Sequence, residues 1–464
     1  MSSPAKITPS RVTDIVGAAN AMNDPRELAQ YEVDGVRPTA AARPGTAQEV
    51  AELVKFAAAE KLAIIPTGAR TKLGIGMPPA RYDLAIDMTR LDHVISYDPG
   101  DLTLSIEPGV PLARLADILA EHKQFLPLAV PFYDRATVGG TLASGVDSPL
   151  RQAYGTARDF VLGMEFVSGD GALTKSGGRV VKNVSGYDLH KLMLGAIGSL
   201  GIITRVNFKT FPRPTSTRGF FAAFGALGPA LDLRQRIARS KLSPLTLDLL
   251  SPGTADLFSS ATAAHIVPEP IDANLPAPGY WTISSGYWGN AQLLARYERD
   301  LRQMAADCDA AHIDVIHANQ IPGQFGRKRE FISIVAALLP AALVLKLSVR
   351  ASQLNDAHSN VRNIAESVAL DFATLTNGAS VIYLALLPRD GTGANYSCKQ
   401  AIEQISSAIA ALGGHASVIL CPLELKREIN IWGAPREDFP LMQRVKCAFD
   451  PHNIFAPGRF VGGL

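Results

Sequence analysis

Apolar positions along the chain change texture near residue 214. Before it, short apolar runs alternate with helical spacing and glycine-rich joints. "GTAQEVAELVKFAAAEKLA" (45–63) spaces its apolar residues as an amphipathic helix, with Thr46 placed as N-cap and Glu49 three residues on. "LAIIP" (62–66) and "DLAIDM" (83–88) predict short buried strands, with the loop "TGARTKLGIGMPPARY" between them. "LTLSIEPG" (102–109) predicts a strand, and "PLARLADILAEHK" a helix with Pro111 in its first turn. "GMEFVSGDGALTKSGG" (163–178) reads as a hairpin turning at Gly169-Asp170-Gly171. "GIITRVNFKTFPRP" (201–214) reads as a strand that its prolines end.

After the joint "PRPTSTRG" (212–219), "FFAAF", "ALDLRQRIARS" and "LTLDLL" predict strand, helix, strand. "FISIVAALLPAALVLKLSV" (331–349) is broken by Pro340 and Lys346, so it predicts a helix end and a strand rather than a membrane span. "HSNVRNIAESVA", "SVIYLALL", "KQAIEQISSAIAAL" and "HASVIL" continue the alternation. This order suits an antiparallel sheet with helices on one face. Residues 251–330 give no clear elements beyond a surface loop at "PEPIDANLPAPG", and the tail "FDPHNIFAPGRFVGGL" is rich in turns.

Composition narrows the class. A chain of 464 residues implies two domains, and 47% hydrophobic with 19% charged residues implies a soluble globular protein. A net charge of +2 gives no ground for nucleic acid or an anionic membrane as partner. The four cysteines are scattered, which argues against disulfides, zinc or an iron–sulfur cluster and for reduced core thiols. "MSSPAKITPSRV" lacks the apolar core of a signal peptide, so the expected location is cytoplasmic. The nine histidines do not cluster; His312 and His317, the nearest pair, read as surface or core groups, and no metal site is expected.

Three glycine clusters stand out: "PTGARTKLG", "ATVGGTLASG" and "GYDLHKLMLGAIGSLGII", the last with Gly195, Gly198 and Gly201 every third residue. Glycine inside helix or strand costs roughly 0.5–1 kcal/mol against alanine, so something offsets it. Neither a G-x-G-x-x-G fingerprint nor a phosphate-binding P-loop occurs. Two readings remain open: tight turns with close packing, or backbone lining one long ligand as anion-binding nests.

Taken in order, "ARPGTAQEVAELVKFA", "IIPTGARTKLG", "LTLSIEPGVPLARL", "ATVGGTLASG", "YGTARDFVLGMEFVSGDG" and "KNVSGYDLHKLMLGAIGSLGII" resemble the FAD-binding domain of the vanillyl-alcohol-oxidase / para-cresol-methylhydroxylase family. Within it, "GGRVVKNVSGYDLHKLM" and "LMQRVKCAFDPHNIFAPGRF" are most similar to the E-subunit branch of bacterial glycolate oxidases. The resemblance implies an α+β fold: a two-part FAD-binding domain of the para-cresol-methylhydroxylase type (1–215), a ferredoxin-like antiparallel-sheet cap (216–429), and a C-terminal segment (430–464) returning to the FAD domain. It implies that Thr67, Gly68, Ala69, Arg70 and Thr71 surround the FAD pyrophosphate. Thr137, Gly140, Ser144 and Gly145 would line the other side, with Tyr154, Gly155 and Val161 nearby and Ile202 and Ile203 at the adenine.

Three departures refine this. Ala69 and Arg70 interrupt the family's first glycine run, and either would be strained at φ > 0. Thr71 stands where covalent members carry histidine, and Tyr133 near where bicovalent members carry cysteine, so the FAD is expected to be non-covalent. The terminal N-P-G-[KR] of the family is Ala456-Pro457-Gly458-Arg459 here.

A 2-hydroxy-acid site needs a cation for the carboxylate and a base for the hydroxyl proton. "KLSVR" sets Lys346, Ser348 and Arg350 on one strand face, making Arg350 either a carboxylate clamp or a solvated residue. Tyr187 and Lys182, in "KNVSGYD", are read as ring- or substrate-contacting groups or as structural hydrogen bonders. Trp432 and Arg436 either close the pocket or pack. The resemblance implies the FAD subunit of a glycolate-oxidase-like 2-hydroxy-acid dehydrogenase. A companion catalytic flavin subunit and an iron–sulfur subunit would be its partners, with peripheral attachment to the inner membrane through them as an alternative location. Two alternatives stay open: a stand-alone FAD-dependent 2-hydroxy-acid or alcohol dehydrogenase, and a non-catalytic flavin-bound structural subunit.

Overall fold

The computed structural model describes residues 9–179, 186–264, 266, 279–318, 326–378, 380–389 and 394–464. The first sheet orders Ala21–Met22, Ala40–Ala42, Leu84–Asp87 and Ile64–Thr67, the last three parallel. The helix Ala47–Glu60 links two of its strands, and its start is the predicted one. Thr46 Oγ1 accepts from the Glu49 amide at 3.1 Å, while the Glu49 carboxylate accepts from Gly45, one residue before the cap, at 2.7 Å. Val50, Leu53, Val54 and Ala57 form its inward stripe. They share a core with Leu84 and Ile86 below and with Val167 and Ile202 of the next sheet.

That second sheet is antiparallel, in the order Val94–Asp98, Thr103–Ile106, Ile202–Lys209, Val161–Val167, Leu173–Gly177. Helix Leu112–Glu121 shares its core through Leu112, Leu115 and Leu119.

The chain then forms one eight-stranded antiparallel sheet: His312–Ala318, Thr217–Phe224, Trp281–Trp288, Thr246–Leu250, Leu370–Asn377, Val381–Pro388, Leu343–Ser348, His415–Leu420. Each half is a strand–helix–strand–strand–helix–strand unit whose first strand lies between its third and fourth. This is the ferredoxin-like layout, used twice. The halves meet through their second strands, Leu249 opposite Thr376 and Leu250 opposite Leu375.

Helices Leu227–Arg239, Ala291–Ala306, Leu354–Ser367 and Ala394–Ala411 pack on this sheet. The expectation of helices on one face needs correction. Pro252–Ala263 and Phe331–Leu338 cover part of the opposite face, because Leu257, Phe258, Phe331, Ile334 and Val335 need their own core. The loop "PEPIDANLPAPG" lies almost wholly outside the described residues. Among the described residues no helix is long and apolar enough to cross a membrane.

The C-terminal residues close on the first sheet. Ile64 donates to Ile454 O at 2.7 Å, and Ala456 donates back to Ile64 O at 2.8 Å. Buried Lys446 binds Asp450 at 2.6 Å and the carbonyls of Ser199 and Phe455 at 2.8 and 2.9 Å, tying the glycine-rich segment to the tail.

Candidate cofactor and substrate site

A cleft enclosing about 880 Å³, open solvent included, lies where the loop after Ile64–Thr67, the helix Val138–Ser144 and the segment Met193–Ile203 converge. Glycines on its walls sit where a larger residue would strike a neighbouring segment. A Cβ on Gly68 would fall onto the Thr137 hydroxyl, which caps helix Val138–Ser144 by accepting from Gly140 N at 3.3 Å. The three-residue spacing seen in the sequence serves separate contacts. Gly198 has φ +76° and would place a Cβ 2.6 Å from Pro66 Cγ; Gly201 would place one 2.8 Å from the Val167 carbonyl.

Arg70 occupies a left-handed backbone position (φ 61°) where the family has glycine. Its side chain makes contacts that glycine cannot. The guanidinium pairs with Asp87 at 3.1 Å and lies 5.0 Å from the centre of the Tyr31 ring, whose hydroxyl donates to the same carboxylate at 2.7 Å. Burial, with Asp87 beside it, holds the Tyr31 phenol protonated. The rest of the loop is braced by Arg459 from the tail, which donates to the carbonyls of Leu73, Ile75 and Met77. Trp432 packs rather than closes a pocket: its indole donates to Arg459 O at 2.9 Å and its ring meets Phe460 edge-on.

A second chamber of about 580 Å³ adjoins the first through the shared residues Thr71, Lys72 and Ile75. Pro131 and Phe132 bound it on one side, and Ile332, Leu420 and Cys421 on the other. The Lys72 ammonium is buried there, with no hydrogen-bond partner among the described residues. It sits 5.8 Å from the Phe132 ring centre. Burial lowers its pKa to about 8, although Glu330 partly opposes the shift. The other cations here are committed: Lys426 to Asp34 and Gly74 O, both at 2.6 Å, and Arg459 to the loop carbonyls. Burial pushes the Cys421 thiol up to about 12, so it stays protonated.

Ten of the expected cofactor residues line the first cavity: Thr67, Gly68, Ala69, Arg70, Thr71, Thr137, Gly140, Ser144, Ile202 and Ile203. Four are elsewhere. Gly145 ends the helix with its back to Gly195. Tyr154 meets Phe125 and Phe211 edge-on, Gly155 turns against Asp159, and Val161 is core. The expected catalytic residues are not brought together. The strand ends at Ser348, so Arg350 does not continue the face of Lys346; it is exposed and lines neither cavity. Lys346 instead pairs with Asp147 at 2.6 Å. Tyr187 is 87% exposed, and Lys182 lies outside the described residues. Lys72 and Arg459 were passed over, although one sits in the quoted first loop and the other in the quoted terminal motif. What distinguishes them is burial, which spacing along the chain does not report.

Residues 38–177 match the family model described as an FAD binding domain, and residues 425–460 match that of the C-terminal domain of FAD linked oxidases. Glycolate oxidase subunit GlcD of Bacillus subtilis is 23% identical over 428 residues, 91% of this chain and 88% of that protein. D-2-hydroxyglutarate dehydrogenase of Xanthomonas citri pv. viticola is 25% identical over 462 residues, 96% and 94% of the two chains. Glycolate oxidase subunit GlcE of Escherichia coli is 36% identical, but over 171 residues, 37% of this chain and 48% of that subunit. Among solved structures, p-cresol methylhydroxylase superposes with a TM-score of 0.76 at 17% identity, over 97% of this chain and 95% of the other; this likeness establishes the fold.

Proposed function

We propose that this chain, whose residues 38–177 and 425–460 match FAD-linked oxidase models, is a member of the vanillyl-alcohol-oxidase / para-cresol-methylhydroxylase family and dehydrogenates a small 2-hydroxy acid, of the kind that names its relatives, as a flavin subunit of a glycolate-oxidase-like complex. The observation that carries this reading is the cavity along the glycine-rich loops, beside a second chamber that shares Thr71, Lys72 and Ile75 of its lining.

FAD fits the first cavity. The cavity runs along the glycine-rich loops, and Thr67 Oγ1 is buried on its wall with no hydrogen-bond partner among the described residues. In this reading Thr67–Thr71, Thr137, Gly140, Ser144, Ile202 and Ile203 hold the cofactor. The chain divides into an FAD-binding part (1–215), a cap (216–429) and a returning segment (430–464). When bound, FAD would supply the two-electron acceptor for oxidation of a 2-hydroxy acid to the 2-oxo acid, the hydroxyl proton passing to solvent. The chain's own residues shape the space and brace it. Arg459 fixes the loop carbonyls, and the Lys346–Asp147 pair fastens the cap over the site.

The partners in this reading are a second flavin subunit and an iron–sulfur subunit that takes electrons singly. The scattered cysteines of this chain suit that division of labour. A second reading, a dehydrogenase acting alone, draws on the full-length likeness to D-2-hydroxyglutarate dehydrogenase. The test is to purify the chain with its flavin and add D-lactate, glycolate or D-2-hydroxyglutarate without oxygen or any other acceptor. Bleaching of the flavin only after partner subunits are added supports the complex. Bleaching of the chain alone supports the second reading. A flavin that stays oxidised in both cases overturns both.

A further inference from the structure

The chamber beside the cofactor cavity has an unusual charge arrangement. Lys426 and Asp34 are both on its wall but already pair with each other at 2.6 Å. The Glu330 carboxylate, beyond it, is held by the amides of Phe132 and Tyr133 at 2.7 and 3.2 Å and by Arg329 at 3.0 Å. Cys421 is neutral. That leaves Lys72, whose ammonium is the cation without a hydrogen-bond partner among the described lining residues. A buried, unpaired ammonium is costly, and an anionic ligand offsets that cost directly. The apolar part of the wall is Ile75, Phe132, Val146, Ile332, Ile419 and Leu420; beside the paired Lys426, Thr71 and Cys421 are its neutral polar side chains, and no second free cation is among the described lining residues.

We propose that Lys72 is the carboxylate-binding residue of this enzyme, and that its chamber selects 2-hydroxy monocarboxylates with an apolar side chain over dicarboxylates. The inference rests on the FAD-dependent oxidation proposed above and names its substrate class. One cation satisfies one carboxylate. An alkyl chain at C3 and beyond meets aliphatic and aromatic walls, at about 25 cal/mol per Å² of apolar surface buried. A second carboxylate, as in 2-hydroxyglutarate, would be desolvated against those walls and near the Asp34 and Glu330 carboxylates. The ordinary range for a charge-assisted hydrogen bond makes Lys72 decisive.

The test uses the oxidised FAD-loaded protein and the product acids, which bind without turnover. Calorimetry measures the affinities of pyruvate, 2-oxohexanoate and 2-oxoglutarate for wild type, Lys72→Met and Lys72→Arg. Wild type should bind 2-oxohexanoate at least about tenfold more tightly than 2-oxoglutarate. Lys72→Met should weaken both monocarboxylates about 10- to 150-fold. Lys72→Arg should recover most of the loss. Wild-type affinity should also fall as pH rises past about 8, where the ammonium loses its proton, and both variants should lose that dependence.

Unchanged monocarboxylate affinity in Lys72→Met overturns the proposal. So does equal or tighter binding of 2-oxoglutarate to wild type, and so does loss of FAD from Lys72→Met, which would reassign the residue to the cofactor. The two readings fail separately. If 2-oxohexanoate binds through Lys72 but no 2-hydroxy acid reduces the flavin, the reaction is wrong and the anion site stands. If 2-hydroxy acids reduce the flavin while Lys72→Met binds normally, the reaction stands and the site is wrong.

Discussion

Gly68→Ala is a single-methyl test of the cofactor cavity. The new Cβ would fall onto Thr137 Oγ1 and lie 3.2 and 3.3 Å from the Thr137 Cβ and Cγ2. Thr137 has three staggered arrangements. Two of them put oxygen or methyl at the collision point; the third puts hydrogen there and turns Oγ1 away from Gly140 N. Relief therefore costs the cap on helix Val138–Ser144, worth about 1 kcal/mol. If the loop moves instead, an amide of Thr67–Thr71 leaves the anion it is proposed to hold, at about 1.5–3 kcal/mol. FAD affinity should then fall about 10- to 150-fold, while the fold, whose cores lie elsewhere, survives. The assay is titration of apoprotein with FAD, followed by quenching of flavin fluorescence. Thr137→Ala removes Oγ1 and Cγ2, so Gly68→Ala should cost much less in that background, a coupling of about 0.5–3 kcal/mol. Wild-type FAD affinity in Gly68→Ala, or the same penalty with and without the Thr137 side chain, would refute the argument.

Acid or heat should release all the FAD, because Thr71 lines the cavity and the Cys421 thiol is held protonated; flavin retained by the denatured chain on a gel would contradict this. At position 70, glycine should be tolerated better than alanine by about 1 kcal/mol in urea unfolding, because both lose the Asp87 pair but only alanine keeps the strain of φ 61°. Arg459→Ala should lower FAD affinity through a loosened loop, visible as faster amide exchange over residues 73–77. His358 is buried, hydrogen-bonded to Thr376, and held by burial down to about 3. The unfolded imidazole takes up its proton near pH 6.5, so stability is full above that value and falls as pH drops toward 3, by up to about 1.4 kcal/mol per unit. His358→Gln should flatten that slope in denaturant titrations at pH 7, 6 and 5.

Local signals along the chain determined most of the elements. The cap at Thr46, the apolar runs at Ile64–Thr67 and Leu84–Asp87, and the glycine-marked hairpin are effects of neighbouring residues, and they hold wherever the segment sits. The glycine clusters also marked loops that line the first cavity, because a missing side chain is visible in a sequence even when the atom it would strike is not. Tertiary structure decided the rest. Trp281–Trp288 escaped the hydropathy pattern because both its faces are covered, leaving Thr282, Ser284 and Ser285 buried like apolar residues. With that strand hidden, the doubled ferredoxin-like sheet could not be counted. Arg350 looked like a neighbour of Lys346 by alternation, but alternation lasts only as long as the strand, and pairing with Val381–Pro388 stops at Ser348. Lys72 looked like any loop lysine; its burial comes from Phe132 and from cap residues some 260–350 positions away along the chain, such as Ile332 and Leu420. Charge is written in the sequence, but whether a charge has a partner depends on which distant segments fold against it.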